Sequence, residues 1–299
     1  PAPSGAGRPR VVHRDRRLDR LRAGRGWLRL DWGLTLEVLI LASGSSGNSV
    51  LVTSGETSLL VDAGVSALQI RKRLEAFDRS PDEIDAILLT HEHSDHVRGL
   101  DVFLRRHREA PVWTTHGTWS KIDVHSNGGG EFISGTTVRF GNLEVTPVAT
   151  SHDAAEPLAY VFDDGKRSAA VCTDTGIVTP LLEQRLQGCE LLLLETNHDK
   201  DMLRHGPYPW SLKQRIDSRT GHLSNHQSCE AVERISSKVL KAVVGMHLSA
   251  ENNCPILVCD NLRETVANGT EVCAVTRNEM LGATLDGSGV RLDLRSLPE

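Results

Sequence analysis

No stretch of the 299-residue chain approaches the roughly 20 consecutive apolar residues that a transmembrane helix needs. No short apolar run near the start is followed by a small-residue cleavage site. Membrane insertion and secretion are therefore not expected. The six cysteines, Cys172, Cys189, Cys229, Cys254, Cys259 and Cys273, include no C-x-x-C pair, so no cysteine-based metal site is expected. They sit in apolar runs such as Ala170-Val171-Cys172 and read as reduced, buried small hydrophobes of a cytoplasmic protein. The stretch Gly44 to Ser49 lacks Gly-Lys-Ser/Thr, which excludes a nucleoside-triphosphate P-loop there.

Basic charge is scarce outside one segment. Residues 1–35 hold nine arginines against Asp15, Asp19 and Asp31, and the net charge of −5 for the whole then puts −11 on the remainder. That first segment is rich in Gly, Pro and Arg and shows no apolar periodicity before Trp27, so it reads as a disordered or non-native extension. The remainder, 36–299, is expected to form the catalytic domain. With 39% apolar and 24% charged residues overall, the chain has enough material for a substantial core.

From Leu36 onward, short strands alternate with single helices. Leu36 to Leu41 reads as a buried strand, and Val50 to Val52 with Ser58 to Val61 as a hairpin. Ser66 is placed to cap a helix whose apolar face is Ala67, Ile70, Leu74 and Phe77. Ala86 to Thr90 is a wholly apolar strand until its last residue, and it runs directly into a histidine cluster. Further strands are expected at Pro111 to Thr115, Val138 to Phe140, Leu143 to Val145, Leu158 to Phe162, Ala169 to Thr173, Leu191 to Leu194 and Ala242 to Met246. Helices are expected at Leu100 to His107, Pro180 to Leu186 and Ser224 to Ile235, with a closing helix and hairpin. This order predicts an α/β fold in which two mixed sheets pack face to face with helices outside.

The chemistry concentrates in Thr90-His91-Glu92-His93-Ser94-Asp95-His96. Imidazole and carboxylate are good ligands for zinc and similar divalent ions, but three His and one Asp within six residues cannot all reach one ion without strain. Two ions resolve this, with His91 and His93 converging on one and Asp95 and His96 turning to the other. A pair of ions roughly 3.5 to 4 Å apart can activate water and clamp the attacking and leaving oxygens of a hydrolysis.

His-x-His-x-Asp-His after a short apolar strand resembles the signature of the metallo-β-lactamase superfamily, which implies an αββα sandwich. Asp62 resembles the acidic residue that supports the metal loop in that family, His152 a further ligand, Asp174 the bridging carboxylate and His247 the last ligand. The resemblance implies that His91, His93 and His152 hold one ion, that Asp95, His96 and His247 hold the other, and that Asp174 bridges them. An Asp at 174 points away from the superfamily's β-lactamases, whose corresponding residue resembles Cys or Ser. Glu195 and His222 resemble the hydrogen-bonded pair by which the phosphodiesterase branch protonates its leaving oxygen. A carboxylate on one imidazole nitrogen fixes the tautomer and raises the pKa, so the other nitrogen can act as general acid.

Several segments in register are similar to the YycJ (WalJ) family of bacterial 5′-to-3′ DNA exonucleases: Ala42 to Ser49, Glu195 to Asp199, Gly206 to Trp210, Gly221 to Asn225 and Leu248 to Asn253. This implies a dinuclear-metal phosphodiesterase, using Zn2+ or Mn2+, with nucleic acid as substrate and DNA preferred to RNA. Asp95 would orient the nucleophile, and His222, backed by Glu195, would protonate the departing 3′-oxygen. Asn48, His198 and Trp210 are the candidate substrate contacts. Tyr208 and Trp210 offer rings for stacking on unpaired bases, but as an aromatic pair flanked by prolines they also fit a packed loop. The acidic remainder opposes a polyanionic substrate unless Arg71, Lys72 and Arg73, or Lys213 and Arg215, make a basic patch. The rival readings are a small-molecule ester or thioester hydrolase with the same metal centre, weak β-lactamase-like activity included, and a non-catalytic metal-stabilised binding module.

Overall fold

Strand β1 (Leu36–Ala42) turns Leu36, Val38 and Ile40 to one side and Leu39 and Leu41 to the other, and all five are buried. Because successive strand residues face opposite ways, a strand apolar on both faces must lie between two other layers. The computed structural model, which describes residues 35–298, has that layering. β1 pairs antiparallel with β2 (Ser49–Ser54), and β2 with β3 (Thr57–Val61). Parallel neighbours β4 (Ala86–Leu88), β5 (Val112–Thr114) and β6 (Gly129–Glu131) follow.

In the second sheet, β7 (Val138–Phe140), β8 (Leu143–Ala149), β9 (Leu158–Asp163) and β10 (Ser168–Cys172) run antiparallel in turn. β11 (Leu191–Glu195), β12 (Ala242–Met246) and β13 (Glu271–Ala274) then continue parallel to β10. The last hairpin, β14 (Glu279–Asp286) and β15 (Gly289–Ser296), returns to the first sheet beside β1. The sheets thus hold eight and seven strands. Between them lies a core that includes Val38, Val61, Leu88, Tyr160, Phe162, Leu193 and Val244.

Helices cover both outer faces. α1 (Ala67–Glu75) starts at Ser66 in a capping box with Gln69 and packs Ile70 and Leu74 on the first sheet, in the same cluster as Leu100 and Phe103. Two short helices, α2 (Ser94–Val97) and α4 (His116–Trp119), flank α3 (Leu100–Arg106) along the chain. On the second sheet lie α5 (Pro180–Leu186), α8 (Asn225–Ile235) and α9 (Pro255–Thr265). Between β11 and α8 come α6 (Lys200–His205) and α7 (Trp210–Ile216).

The expected αββα sandwich is therefore observed. β4 ends at Leu88, short of the expected Thr90, because the Thr90 N–H donates to the Asp62 carboxylate at 2.8 Å. Arg73 does not contribute to a basic patch: it is buried and donates to the Leu41 carbonyl at 2.9 Å. Of the cysteines, Cys172 and Cys189 are fully buried, whereas Cys229, Cys254, Cys259 and Cys273 are only half-buried, at the margins of the helical layer and β13. The extension expected over 1–35 lies, Thr35 excepted, outside the described residues. Among those described, no helix is long and apolar enough to cross a membrane.

Candidate metal centre

The first sheet presents its histidines from the short loop and helix that follow β4. His93 stands at the N-terminal end of α2, so Asp95 and His96 fall on the first turn of a helix and face differently from His91 and His93. Asp62, at the end of β3, accepts hydrogen bonds from Thr90 N and Thr90 Oγ1, both at 2.8 Å, and from His96 Nδ1 at 2.7 Å. His91 Nδ1 lies 3.0 Å from Thr90 Oγ1, while its Nε2 is buried without a partner. Gly64 permits this packing, because a Cβ there would fall 1.7 Å from the Asp95 carbonyl oxygen.

Single residues from several strand ends complete the centre. His152 donates from Nδ1 to the Gly221 carbonyl at 3.0 Å, and its Nε2 stands 3.2 Å from His93 Nδ1. Parallel pairing sets Cys172 beside Leu194 and Glu195 beside Met246, so Asp174, Glu195 and His247 emerge on one rim. His247 donates from Nδ1 to Glu195 Oε1 at 2.9 Å and points Nε2 toward Asp95 Oδ2, 3.4 Å away. His222 donates from Nδ1 to the same Glu195 oxygen at 2.7 Å. Glu195 therefore orients two histidines, where the sequence pointed to His222 alone. It also accepts from the backbone N–H groups of Thr175 and Leu223.

These bonds fix tautomers. With Nδ1 of His96, His152 and His247 donated to oxygen, and Nδ1 of His91 against a hydroxyl, four Nε2 lone pairs are left facing inward. Ligand atoms of His91, His93 and His152 lie within 4.8 Å of one another, and so do those of Asp95, His96 and His247. Asp174 stands between, with Oδ2 3.1 Å from His96 Nε2 and Oδ1 3.8 Å from His152 Nε2. Asp174 Oδ2 is nevertheless buried without a hydrogen bond, as is His91 Nε2. Buried acceptors left unpaired are costly, and inward-facing imidazole and carboxylate donors fit divalent cations of the zinc or manganese kind.

Backbone geometry and charge agree with that arrangement. Four non-glycine residues among those described have positive φ, and three of them, Asp62 at 61°, Asp174 at 53° and His247 at 55°, belong to this centre. Such conformations cost free energy and persist where surrounding structure enforces them. Burial holds His91 well below the ordinary histidine range, which leaves its imidazole neutral. Burial alone would raise Glu195, but the charge of His222 and hydrogen bonds from His222 and His247 bring it down to about 2. Burial opposes protonation of His222, but the charge and hydrogen bond of Glu195 outweigh it and raise the pKa.

Residues 57–248 match the family described as the beta-lactamase superfamily domain. The chain belongs to the metallo-β-lactamase superfamily. It is 37% identical to "Exodeoxyribonuclease YycJ" of Bacillus anthracis over 223 residues, covering 73% of this chain and 84% of that one. To "Exodeoxyribonuclease WalJ" of Streptococcus pneumoniae it is 40% identical over 221 residues, covering 72% and 82%. The fold is shared with the crystal structure of the metallo-β-lactamase fold protein YhfI from Bacillus subtilis, at TM-score 0.65 and 17% identity over 81% of this chain and 97% of that one. Human tRNase Z, short form, has the same fold, at TM-score 0.57 and 15% identity over 88% and 100%.

In this metallo-β-lactamase superfamily member a cavity of about 220 Å³ opens beside His222 and His247, lined also by Asn197, Tyr208, Leu212, Arg215, Ile216 and Ser249. The three candidate substrate contacts lie elsewhere. Asn48 is buried, with Nδ2 3.3 Å from Asp95 Oδ2 and 3.1 Å from His96 Nε2, and thus supports the cluster. His198 is fully buried, has no hydrogen bond at either ring nitrogen, and lies 3.8 Å from the Asp217 carboxylate; Asp199 caps α6. Trp210 opens α7 instead of packing in a loop, and it is 69% exposed. Tyr208, two residues earlier, does line the cavity. Lys213 is spent on the carbonyls of Arg204 and Gly206, which leaves Arg215 as the cavity's cation. Thr90, adjacent to the histidine motif, was the missed residue nearest to a legible signal.

Proposed function

We propose that this chain is a 5′-to-3′ DNA exonuclease that releases 5′-phosphorylated nucleotides and works with two divalent ions. Its superfamily makes it a metal-dependent hydrolase, and the names of its two relatives support DNA as substrate. The observation that carries the reading is the Glu195–His222 pair: a carboxylate-backed imidazole beside the ligand cluster, its side chain one-fifth exposed and lining the cavity. Hydrolysis of an unactivated phosphodiester needs a proton for its alkoxide leaving group, and such an imidazole supplies one.

In this reading His91, His93 and His152 would hold one ion and Asp95, His96 and His247 the other, with Asp174 available to both sets. Two such ions would supply acidification of a water molecule and offset the charge that develops around phosphorus. Asp95 orients the attacking water, its carboxylate held by Asn48 and His247. Glu195 keeps Nδ1 of His222 as a donor, so Nε2 carries the proton that passes to the 3′-oxygen. The donor set suits manganese as well as zinc, and the affinity order favours zinc. Cysteines free of disulfides support a cytoplasmic setting. The proposed catalytic unit starts at Leu36.

One observation favours a second reading, hydrolysis of a small ester or thioester: the charge of −11 beyond residue 35 repels a polyanion. The deciding experiment incubates the purified chain, loaded separately with zinc and manganese, with 5′-labelled and 3′-labelled duplex DNA, alongside His222→Ala and Asp95→Ala. Metal-dependent release of 5′-mononucleotides, lost in both variants, is the expected result. Intact DNA together with Asp95-dependent cleavage of a generic ester would replace the nuclease with the small-molecule hydrolase.

A further inference from the structure

The cavity beside His222 has two unlike walls. One is the ligand cluster, represented by His222 and His247; the other is the α6–α7 connection and α7, represented by Tyr208, Leu212, Arg215 and Ile216. We infer that this cavity holds the 5′-terminal nucleotide of the strand being degraded, with Arg215 binding its 5′-phosphate, an inference that rests on the nuclease reading above.

Reaction chemistry sets the side. Attack of water on the phosphorus that joins the first two nucleotides forms a P–O bond and breaks the bond to the 3′-oxygen of the first. That oxygen leaves with the electron pair and takes its proton from His222; the phosphate stays on the second nucleotide, and a proton from the attacking water restores His222 by way of solvent. The departing terminal nucleotide must therefore lie against His222, where the cavity is. At about 220 Å³ the cavity is smaller than the roughly 300–1,000 Å³ of drug-sized pockets, so what it encloses is no more than a single nucleotide unit.

Arg215 is placed for an anion. Its Nε donates to Asp153 Oδ2 at 2.6 Å, and Asp153 in turn lies 3.4 Å from His152 Nε2, which anchors the guanidinium to the ligand cluster. Only Nε is engaged in that bond, leaving the two terminal amino groups as a planar fork of the kind that matches phosphate. Asp153 is the one carboxylate among the lining residues and is neutralised by this pair. The distance from Arg215 to His222 is fixed by close packing: a Cβ at Gly221 would fall 2.2 Å from the Arg215 carbonyl, and His222 N donates to Ile216 O at 2.9 Å. Tyr208 offers a half-buried ring on which any base can stack, while Asn197 and Ser249 supply polar contacts.

The test uses the metal-loaded full chain on linear duplexes with a 5′-phosphate or a 5′-hydroxyl, comparing wild type with Arg215→Lys and Tyr208→Leu. Calorimetric titration with deoxyadenosine 5′-monophosphate and with deoxyadenosine gives a readout independent of cleavage. Wild type should prefer the phosphorylated end by about tenfold or more, as expected for a charge-assisted bond. Arg215→Lys, which can keep the ion pair with Asp153 but loses the fork, should bring that preference toward one through KM and weaken the monophosphate by a similar factor. Tyr208→Leu should raise KM for both ends alike. Equal degradation of both ends by wild type, or an Arg215→Lys chain that keeps both preference and monophosphate affinity, overturns the inference. If neither metal supports DNA cleavage, the nuclease reading fails separately, and with it the terminal nucleotide as occupant.

Discussion

The two halves of the centre are built in different ways. The first sheet supplies four of its ligand candidates, His91, His93, Asp95 and His96, from six consecutive residues after β4, so their convergence is local. The second sheet supplies His152, Asp174, Glu195, His222 and His247 one at a time across nearly a hundred residues. There the convergence depends on parallel β10, β11 and β12 ending side by side, with the strained residues Asp174 and His247 turning back across the rim. The orienting carboxylates differ likewise. Asp62 serves His96 and the Thr90 backbone, whereas Glu195 serves both a ligand candidate and the candidate acid. A local cluster can hold metal, but in the proposed reading only the second rim joins metal binding to proton transfer.

The sharpest way to break this comparison is His222→Ala. It should lower kcat on DNA by about 10²–10⁴-fold. Cleavage of bis(4-nitrophenyl) phosphate, whose leaving group needs no proton, should be nearly unaffected; equal losses on both substrates would mean that His222 is not the acid. The pH profile carries the same sign. Because Glu195 raises the His222 pKa, the acid is charged below that pKa and kcat should fall as pH rises past the ordinary histidine value. His222→Ala should lose that limb. Glu195, lowered to about 2, stays ionised until far more acidic pH and adds no limb near neutrality.

Next in size is the contrast between Glu195→Gln and Asp62→Asn. Each removes an ionic partner from a histidine of the proposed ligand set and should weaken metal affinity by about 10–100-fold, read by competition with a chromogenic chelator. Only Glu195→Gln should also shift the basic limb of kcat to lower pH. Identical pH profiles for the two variants would erase the distinction between the rims.

A smaller effect is expected from Leu193→Ala, in the fully buried layer between the sheets. It should cost about 2–5 kcal/mol in denaturant unfolding, because the cavity between two sheets cannot collapse freely. Remaining folded molecules should bind metal normally. Smallest of all, a chain shortened to begin at Thr35 should keep wild-type kcat on DNA, and a loss would assign a catalytic role to the arginine-rich segment.

The histidine cluster, the Ser66 cap and the strands with two apolar faces were legible because each is a local pattern: contiguous ligands, a capping serine just before an apolar helical face, a continuous apolar run in β1. α6 and α7 were missed because neither carries an apolar face: Leu203 is the one buried residue of α6, and α7 buries none. Without them the reading had Tyr208 as a stacking or packing residue and Arg215 as part of a basic patch, but no cavity in which to place either. Asn48, His198 and Trp210 do not line the cavity, because the direction a side chain takes depends on packing.

By itself the sequence determined the αββα layering and which residue types meet metal, since periodicity and donor chemistry are properties of the chain read along its length. Tertiary structure alone decided that Glu195 orients His247 as well as His222, that Asn48 turns inward, and that Arg215 faces the cavity. Those choices arise from the register of parallel strands and the close approach of Gly64 and Gly221 to neighbouring backbone, distances that no one-dimensional pattern encodes.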